Sequence, residues 1–185
     1  MKLLIIDIET TGFVPQGQSI VEIGMVLCDS DTRETIPVFN QVVRDDEFDY
    51  YKHKNAWIFQ NTDLTAEQVR NAKHIDEYRE ELQGLFDKYL LTAYNKRFDL
   101  SFMRARGFDI KDTKDLMVNG RNISLTMTGK KSAPSVEKLY SWFFPDENYI
   151  EKHRGLDDAL HEAKIFYKFC DMKAGKKVLI ENKTI

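Results

Sequence analysis

Cysteine is scarce in this sequence: Cys28 and Cys170 are its two cysteines, and they form no CxxC pair or other metal-ligand spacing. Two such cysteines do not make the framework of a disulfide-rich secreted domain. Long apolar runs are also missing, and the first one stops at Asp7 without the small-residue cleavage site of a signal peptide. We therefore expect a cytoplasmic protein that is neither secreted nor inserted in a membrane.

A strong net charge is lacking as well. The chain of 185 residues has a formal charge of −3 and is 42% hydrophobic. A polyanionic partner would therefore need a local basic patch or a bound metal ion, because no global attraction exists. The length suits one sizeable core. We expect one domain over residues 1–172, followed by a tail over residues 173–185 whose structure the sequence does not decide.

The most informative stretch is LLIIDIETTGF, residues 3–13. An apolar run, a short alternating piece and a glycine predict a buried strand that ends in a turn. Because strand side chains alternate, Asp7 and Glu9 project from the same face. Two ionised carboxylates held so close resist burial unless a cation lies between them or one keeps its proton. A hard divalent metal is the simplest remedy, and a strand end running into solvent is the alternative.

Further strands follow from the same alternating pattern. Residues 20–28 and 36–43 are predicted to form an antiparallel meander with the first strand. A short apolar segment at 90–94 predicts a fourth strand. Residues 110–117 could hold a fifth. The pattern therefore predicts a sheet that opens with a meander.

Helical spacing appears from residue 65 onward. A capping-box pattern at Thr65 predicts one helix to about Tyr89. A shorter helix is predicted over 135–144, and a last long helix is predicted to begin after His153. The remaining segments are interpreted as connections: 44–61 as an irregular one and 119–134 as a mobile basic loop.

Two later acids and a histidine stand where they could join Asp7 and Glu9. Asp99 follows the N-cap candidate Asn95, in a first helical turn where both the helix dipole and a metal favour a carboxylate. In the last helix, Asp158 lies beside the apolar stripe, whereas Asp157 falls on the solvated face. His153 precedes Asp158 by five residues and is a candidate base if the acids gather.

Three motifs together resemble one family. An Asp-x-Glu-Thr-Thr-Gly motif from Asp7, an Asn-x-x-Phe-Asp motif from Asn95 and a His-x4-Asp motif from His153 resemble, in order and spacing, the DEDDh group of 3′–5′ exonucleases. These DnaQ-like enzymes include the proofreading (epsilon) subunit of DNA polymerase III. The likeness extends over about residues 2–169. It implies an RNase H-like α/β fold, with a mixed five-stranded sheet flanked by helices.

The resemblance also implies roles for individual residues. Asp7, Glu9, Asp99 and Asp158 would hold two Mg²⁺ or Mn²⁺ ions, and His153 would be the general base. Contacts to the terminal nucleotide are expected from Thr10, Thr11, Gly12, Phe13, Asn95 and Phe102, although Phe102 could equally belong to the helix core. Tyr94 departs from the family, where many relatives carry a histidine. The product would be a nucleoside 5′-monophosphate released from a 3′ end.

Three functions remain open at this point. The leading hypothesis is a 3′–5′ exonuclease on single-stranded DNA or frayed, mismatched ends, either free-standing or serving a polymerase. The nearest alternative changes the substrate to RNA, because no motif reports on contacts to the 2′-hydroxyl. A non-catalytic module that binds nucleic acid or a polymerase is the third, and the complete set of acids and histidine argues against it.

Overall fold

The structure, a computed structural model, describes residues 1–172, so the predicted tail lies outside the described residues. Its strands are β1 (Lys2–Thr10), β2 (Ile20–Asp29), β3 (Thr35–Val42) and β4 (Leu90–Thr92). Its α-helices are α1 (Tyr50–His53), α2 (Trp57–Asn61), α3 (Ala66–Asn71), α4 (Arg79–Lys88), α5 (Lys96–Ala105), α6 (Leu116–Thr128), α7 (Val136–Phe143) and α8 (Gly155–Asp171). Within residues 1–172, no helix has the length and apolar character needed to cross a membrane.

The sheet has the order β3-β2-β1-β4. Strand β1 pairs antiparallel with β2 and parallel with β4, and β2 pairs antiparallel with β3. The predicted meander and mixed sheet are confirmed, but the described residues form four strands rather than five. The expected fifth strand is reduced to one bridge between Leu91 and Asp112. Asp115 then caps α6 by accepting a hydrogen bond from the Val118 amide, which commits the following apolar residues to a helix.

Strand β1 lies at the centre of the core, and its alternating side chains separate two apolar clusters. Leu4 and Ile6 pack with side chains of α4 and α5, whereas Leu3 and Ile5 pack with those of α7 and α8. All four are fully buried. Because Asp7 continues the series of Leu3 and Ile5, its carboxyl group faces the α8 side of the sheet.

Two predictions about helices are wrong. The single helix expected over 65–89 is divided into α3, a 3₁₀ turn (Ile75–Tyr78) and α4, because Ala72 adopts an extended conformation and His74 caps a new start. Residues 119–128, interpreted as a basic loop, belong to α6, which ends where Gly129 takes the left-handed conformation. The irregular connection over 44–61 contains the short helices α1 and α2.

Helix α8 begins directly against the sheet. A β-carbon added to Gly24 would lie 2.0 Å from the backbone carbon of Gly155, and one added to Gly155 would lie 2.9 Å from the backbone oxygen of Asp7. Gly24 is the register partner of Asp7 on β2. Only glycines permit this approach, which brings the first turn of α8 to the acidic end of β1.

Candidate active site

The acidic end of β1 meets the first turn of α8. One carboxylate oxygen each from Asp7, Glu9 and Asp158 lies within 4.8 Å of the other two. Asp7 and Glu9 share a face because they are two positions apart on one strand, and Asp158 is in the helical turn that the two glycines admit. The fold thus gathers three carboxylates from distant parts of the chain.

Asp99 borders this group without being one of the three. It lies in the first turn of α5, and its Oδ1 accepts a hydrogen bond of 3.2 Å from the amide of Ile8, between Asp7 and Glu9. Its side chain is buried, yet it lines the cavity that Asp7 and Glu9 also line. Burial raises the pKa of Asp99 to about 7.

Asp158 is 2% exposed and organises the loop that precedes its own helix. Its Oδ2 accepts a hydrogen bond of 2.9 Å from the amide of Arg154, and its Oδ1 accepts bonds from the Tyr149 hydroxyl at 2.7 Å and the Lys152 amide at 3.4 Å. His153 lies between the two amide donors. The same carboxylate therefore belongs to the acidic group and holds the backbone on both sides of the histidine.

His153 lines the cavity that contains Asp7, Glu9 and Asp99. Its backbone adopts φ 54°, in the left-handed region that L-residues rarely occupy. Its imidazole meets the indole of Trp57 edge to face, with ring centroids 4.8 Å apart. The histidine thus stands on the cavity wall, beside the acids.

The acidic group carries more negative charge than it can hold without compensation. Burial, followed by repulsion from neighbouring carboxylates, raises the pKa values of Asp7 and Glu9 well above the ordinary range. Oδ2 of Asp7 is buried and has no hydrogen-bond partner among the described residues. A hard divalent cation prefers oxygen ligands, so it would satisfy this buried acceptor and offset the repulsion among the carboxylates. The residues present therefore fit divalent metal ions.

Sequence reasoning missed two further acids. Glu162 is buried on α8 one turn after Asp158, and its Oε2 accepts a hydrogen bond of 3.0 Å from the Tyr94 amide. Glu151, in the loop before α8, lines the cavity as well. Burial raises the pKa of Glu151 to about 7 and that of Glu162 well above its usual value. The i, i+4 spacing from Asp158 was a usable signal for Glu162, whereas nothing in the sequence singled out Glu151.

Five of the six expected nucleotide-binding residues line the cavity: Thr10, Thr11, Gly12, Phe13 and Asn95. Phe13 is 89% exposed, an unusual state for so large an apolar side chain. Phe102 does not line the cavity. Its ring is fully buried in the cluster between the sheet and α5. Phe98, one turn earlier on the same face of α5, is partly buried against this cluster and lines the cavity. In this structure Phe102 is a core residue.

This mixed sheet with flanking helices and an acidic cavity is the architecture of RNase H-like exonucleases. The family model for exonucleases of the RNase T type matches residues 4–166, so the chain belongs to this exonuclease family. The DNA polymerase III PolC-type of Thermotoga maritima is 28% identical over 177 residues, which span 91% of this chain and 12% of that protein. The chain therefore corresponds to a small part of the curated relatives that it matches.

Solved structures share the fold. The nuclease domain of 3′hExo, a DEDDh family member bound to rAMP, superposes with a TM-score of 0.66 at 19% identity, covering 91% of this chain and 90% of that domain. Escherichia coli (E. coli) Exonuclease I in complex with a dA16 oligonucleotide gives a TM-score of 0.65 at 17% identity, covering 90% of this chain and 40% of that one. The expected fold class is thereby confirmed.

Proposed function

We propose that this chain is a divalent-metal-dependent 3′–5′ exonuclease that removes nucleoside 5′-monophosphates from single-stranded DNA or from frayed, mismatched ends. The observation that carries the proposal is the convergence of the Asp7, Glu9 and Asp158 carboxylates within 4.8 Å, with a buried Asp7 oxygen that lacks a donor among the described residues. A cytoplasmic location and a domain over residues 1–172 belong to the same proposal.

Asp7, Glu9 and Asp158, with Asp99 beside them, would hold the metal ions. Two bound Mg²⁺ or Mn²⁺ ions would activate a water and offset charge on the attacking and leaving oxygens of an in-line displacement. His153 accepts the proton from the water whose oxygen attacks the terminal phosphorus. The bond from phosphorus to the 3′ oxygen of the preceding nucleotide breaks, and that oxygen takes a proton from solvent to become the new 3′-hydroxyl.

The DNA substrate is supported by the matched relatives, since the one from Thermotoga maritima is named as a DNA polymerase. The exposed ring of Phe13 at the cavity mouth suits an unpaired base, because aromatic rings stack on bases of any sequence. A polymerase partner would follow from the same likeness. RNA remains the second substrate to test, because one solved neighbour recognises a histone mRNA stem-loop.

The testing experiment is a nuclease assay with 5′-labelled oligonucleotides of one sequence, as single-stranded DNA, mismatched duplex and RNA, with Mg²⁺ or Mn²⁺. We expect a descending ladder from the 3′ end of the DNA substrates and release of nucleoside 5′-monophosphates. A 3′-phosphorylated oligonucleotide tests direction. If no oligonucleotide is shortened in either metal, the enzyme proposal fails; if RNA is degraded faster than DNA, the substrate is wrong.

Variants test the site. Asp7→Ala should abolish cleavage, and His153→Ala should lower it severely while calorimetry still detects Mn²⁺ binding. Asp157→Ala is the matched control, because Asp157 is adjacent to Asp158 on α8 but pairs with Lys152 at 2.8 Å and is not one of the three gathered carboxylates. A fully active Asp7→Ala variant would refute the site.

A further inference from the structure

Trp57 is the first residue of α2; it is 55% exposed and lines the active-site cavity. Packing does not explain a tryptophan here. The next residue, Ile58, is 2% exposed and anchors α2 in a small cluster with Val21, Leu64 and Val69. Ile58 therefore anchors the helix, and the indole of Trp57 is available for contacts in the cavity.

The ring that Trp57 contacts is the imidazole of His153. The ring planes are 89° apart with centroids at 4.8 Å, an edge-to-face geometry that aromatic pairs favour. Among residues 1–172, the imidazole has no hydrogen-bond partner that would set its orientation. The indole is thus the group in a position to restrict rotation of the histidine ring.

Both rings are carried by restrained backbone. At the end of α2, Asn61 Nδ2 donates to the Trp57 carbonyl at 2.8 Å, and Thr62 Oγ1 donates to the Ile58 carbonyl at 2.7 Å. The backbone of His153 is held at φ 54° because the amides of its neighbours, Lys152 and Arg154, donate hydrogen bonds to the Asp158 carboxylate. Fixed backbones limit the side-chain rotamers in which the two rings can meet, so the indole can restrict where the imidazole points.

We propose that Trp57 is a positioning residue for the reaction: it orients the His153 imidazole toward the attacking water. This inference rests on the proposed function, in which His153 is the general base. Trp57 acts through His153, so its removal should lower the rate of the chemical step and leave binding of the oligonucleotide largely unchanged.

The test is a double-mutant cycle with a single-stranded DNA oligonucleotide and Mn²⁺. Trp57→Leu should lower kcat about tenfold with KM within about twofold, the size expected for loss of one aromatic contact that orients a base. In the His153→Ala background, the same substitution should have no further effect, because the group that it orients is gone. Trp57→Phe keeps a ring at this position and should recover most of kcat.

Tyr51→Leu is the control, because Tyr51 is 80% exposed on α1, outside the cavity lining, and should retain wild-type kcat. Effects of Trp57→Leu and His153→Ala that multiply, or a raised KM with unchanged kcat, would overturn the inference and identify Trp57 as a base-binding group. An active wild type with a fully active Trp57→Leu variant overturns this inference alone. An inactive wild type overturns the proposed function and this inference with it.

Discussion

The guanidinium of Arg154 donates three hydrogen bonds to the carboxylate of Glu22, at 2.7, 3.0 and 3.2 Å. Glu22 is 2% exposed on β2, and its Oε2 also accepts a bond of 3.1 Å from the Gly155 amide. This ion pair ties the residue after His153 to the sheet. These contacts make Glu22 a structural carboxylate.

Glu22→Gln should destabilise the protein. The substitution removes the negative charge to which Arg154 and the Gly155 amide both donate hydrogen bonds. Buried hydrogen bonds to charged groups are each worth about 1.5–3 kcal/mol. Because the Arg154 side chain is 31% exposed and keeps a second bond to Asp63, we expect a net loss of about 1–3 kcal/mol in the free energy of unfolding. Urea titration measures this free energy.

Glu67→Gln is the control, because Glu67 forms an exposed ion pair with Arg70. Its free energy of unfolding should stay within about 0.5 kcal/mol of the wild type. Equal losses in the two variants would contradict the role of burial.

Gly24→Ala should be severely destabilising, because its β-carbon would lie 2.0 Å from the Gly155 backbone. Either α8 moves away from the sheet or the strand distorts, and we expect a loss of about 3 kcal/mol or more. Gly84→Ala is the matched control in helix α4, where nothing lies within 4 Å of the new β-carbon. It should stabilise the protein by about 0.5–1 kcal/mol. Thermal melts compare the two variants, and similar melting temperatures would refute the close approach.

Without metal, the protein should lose stability as the pH rises from about 4.5 to 7. Asp99 and Glu151 have folded pKa values of about 7, raised from ordinary values near 4, so the folded state binds more protons than the unfolded chain over this window. Each such group changes the free energy of unfolding by at most about 1.4 kcal/mol per pH unit. His53, whose burial lowers its pKa, opposes this trend below about pH 6.5.

The measurement is urea unfolding in EDTA at several pH values. Saturating Mn²⁺ should abolish or reverse the loss, because a cation favours ionised ligands. Asp99→Asn should flatten the profile in EDTA. Stability that rises steadily from pH 5 to 7 in the metal-free wild type would show that the acidic group is not strained as described.

Tyr149→Phe should weaken metal binding by about tenfold. Removing a hydrogen-bond partner of a metal ligand lowers metal affinity by about 10- to 100-fold, and we expect the lower end of this range. The hydroxyl of Tyr149 donates to Asp158 at 2.7 Å, and its ring stacks on His161 with centroids 4.0 Å apart, so phenylalanine should keep the ring in place. Calorimetric titration with Mn²⁺ tests this. Tyr140→Phe removes a hydroxyl that donates to Glu147 at 2.6 Å instead, and its metal affinity should match the wild type. Unchanged Mn²⁺ affinity in both variants would show that the Tyr149 hydroxyl does not support the metal site.

Local patterns predicted the elements that depend on few neighbours. The first strand, the meander, and the starts of α5 and α8 follow from alternation and helical spacing. The pattern failed where competing local signals were close in energy. Residues 116–128 combine apolar, small and hydroxyl side chains that suit a loop or a helix, and the Asp115 cap decided in favour of the helix.

The sequence by itself determined which acids are available and on which face of their own element each lies. Asp7 and Glu9 share a strand face, and Asp158 lies on the inward side of its helix, because these relations depend only on backbone periodicity. Only the tertiary structure decided that the three meet within 4.8 Å, that Glu151 and Glu162 join the cavity, that Phe102 is core and that Trp57 touches His153. These contacts join residues far apart along the chain, and the approach of Asp158 to Asp7 and Glu9 depends on the close packing of the Gly24 and Gly155 backbones.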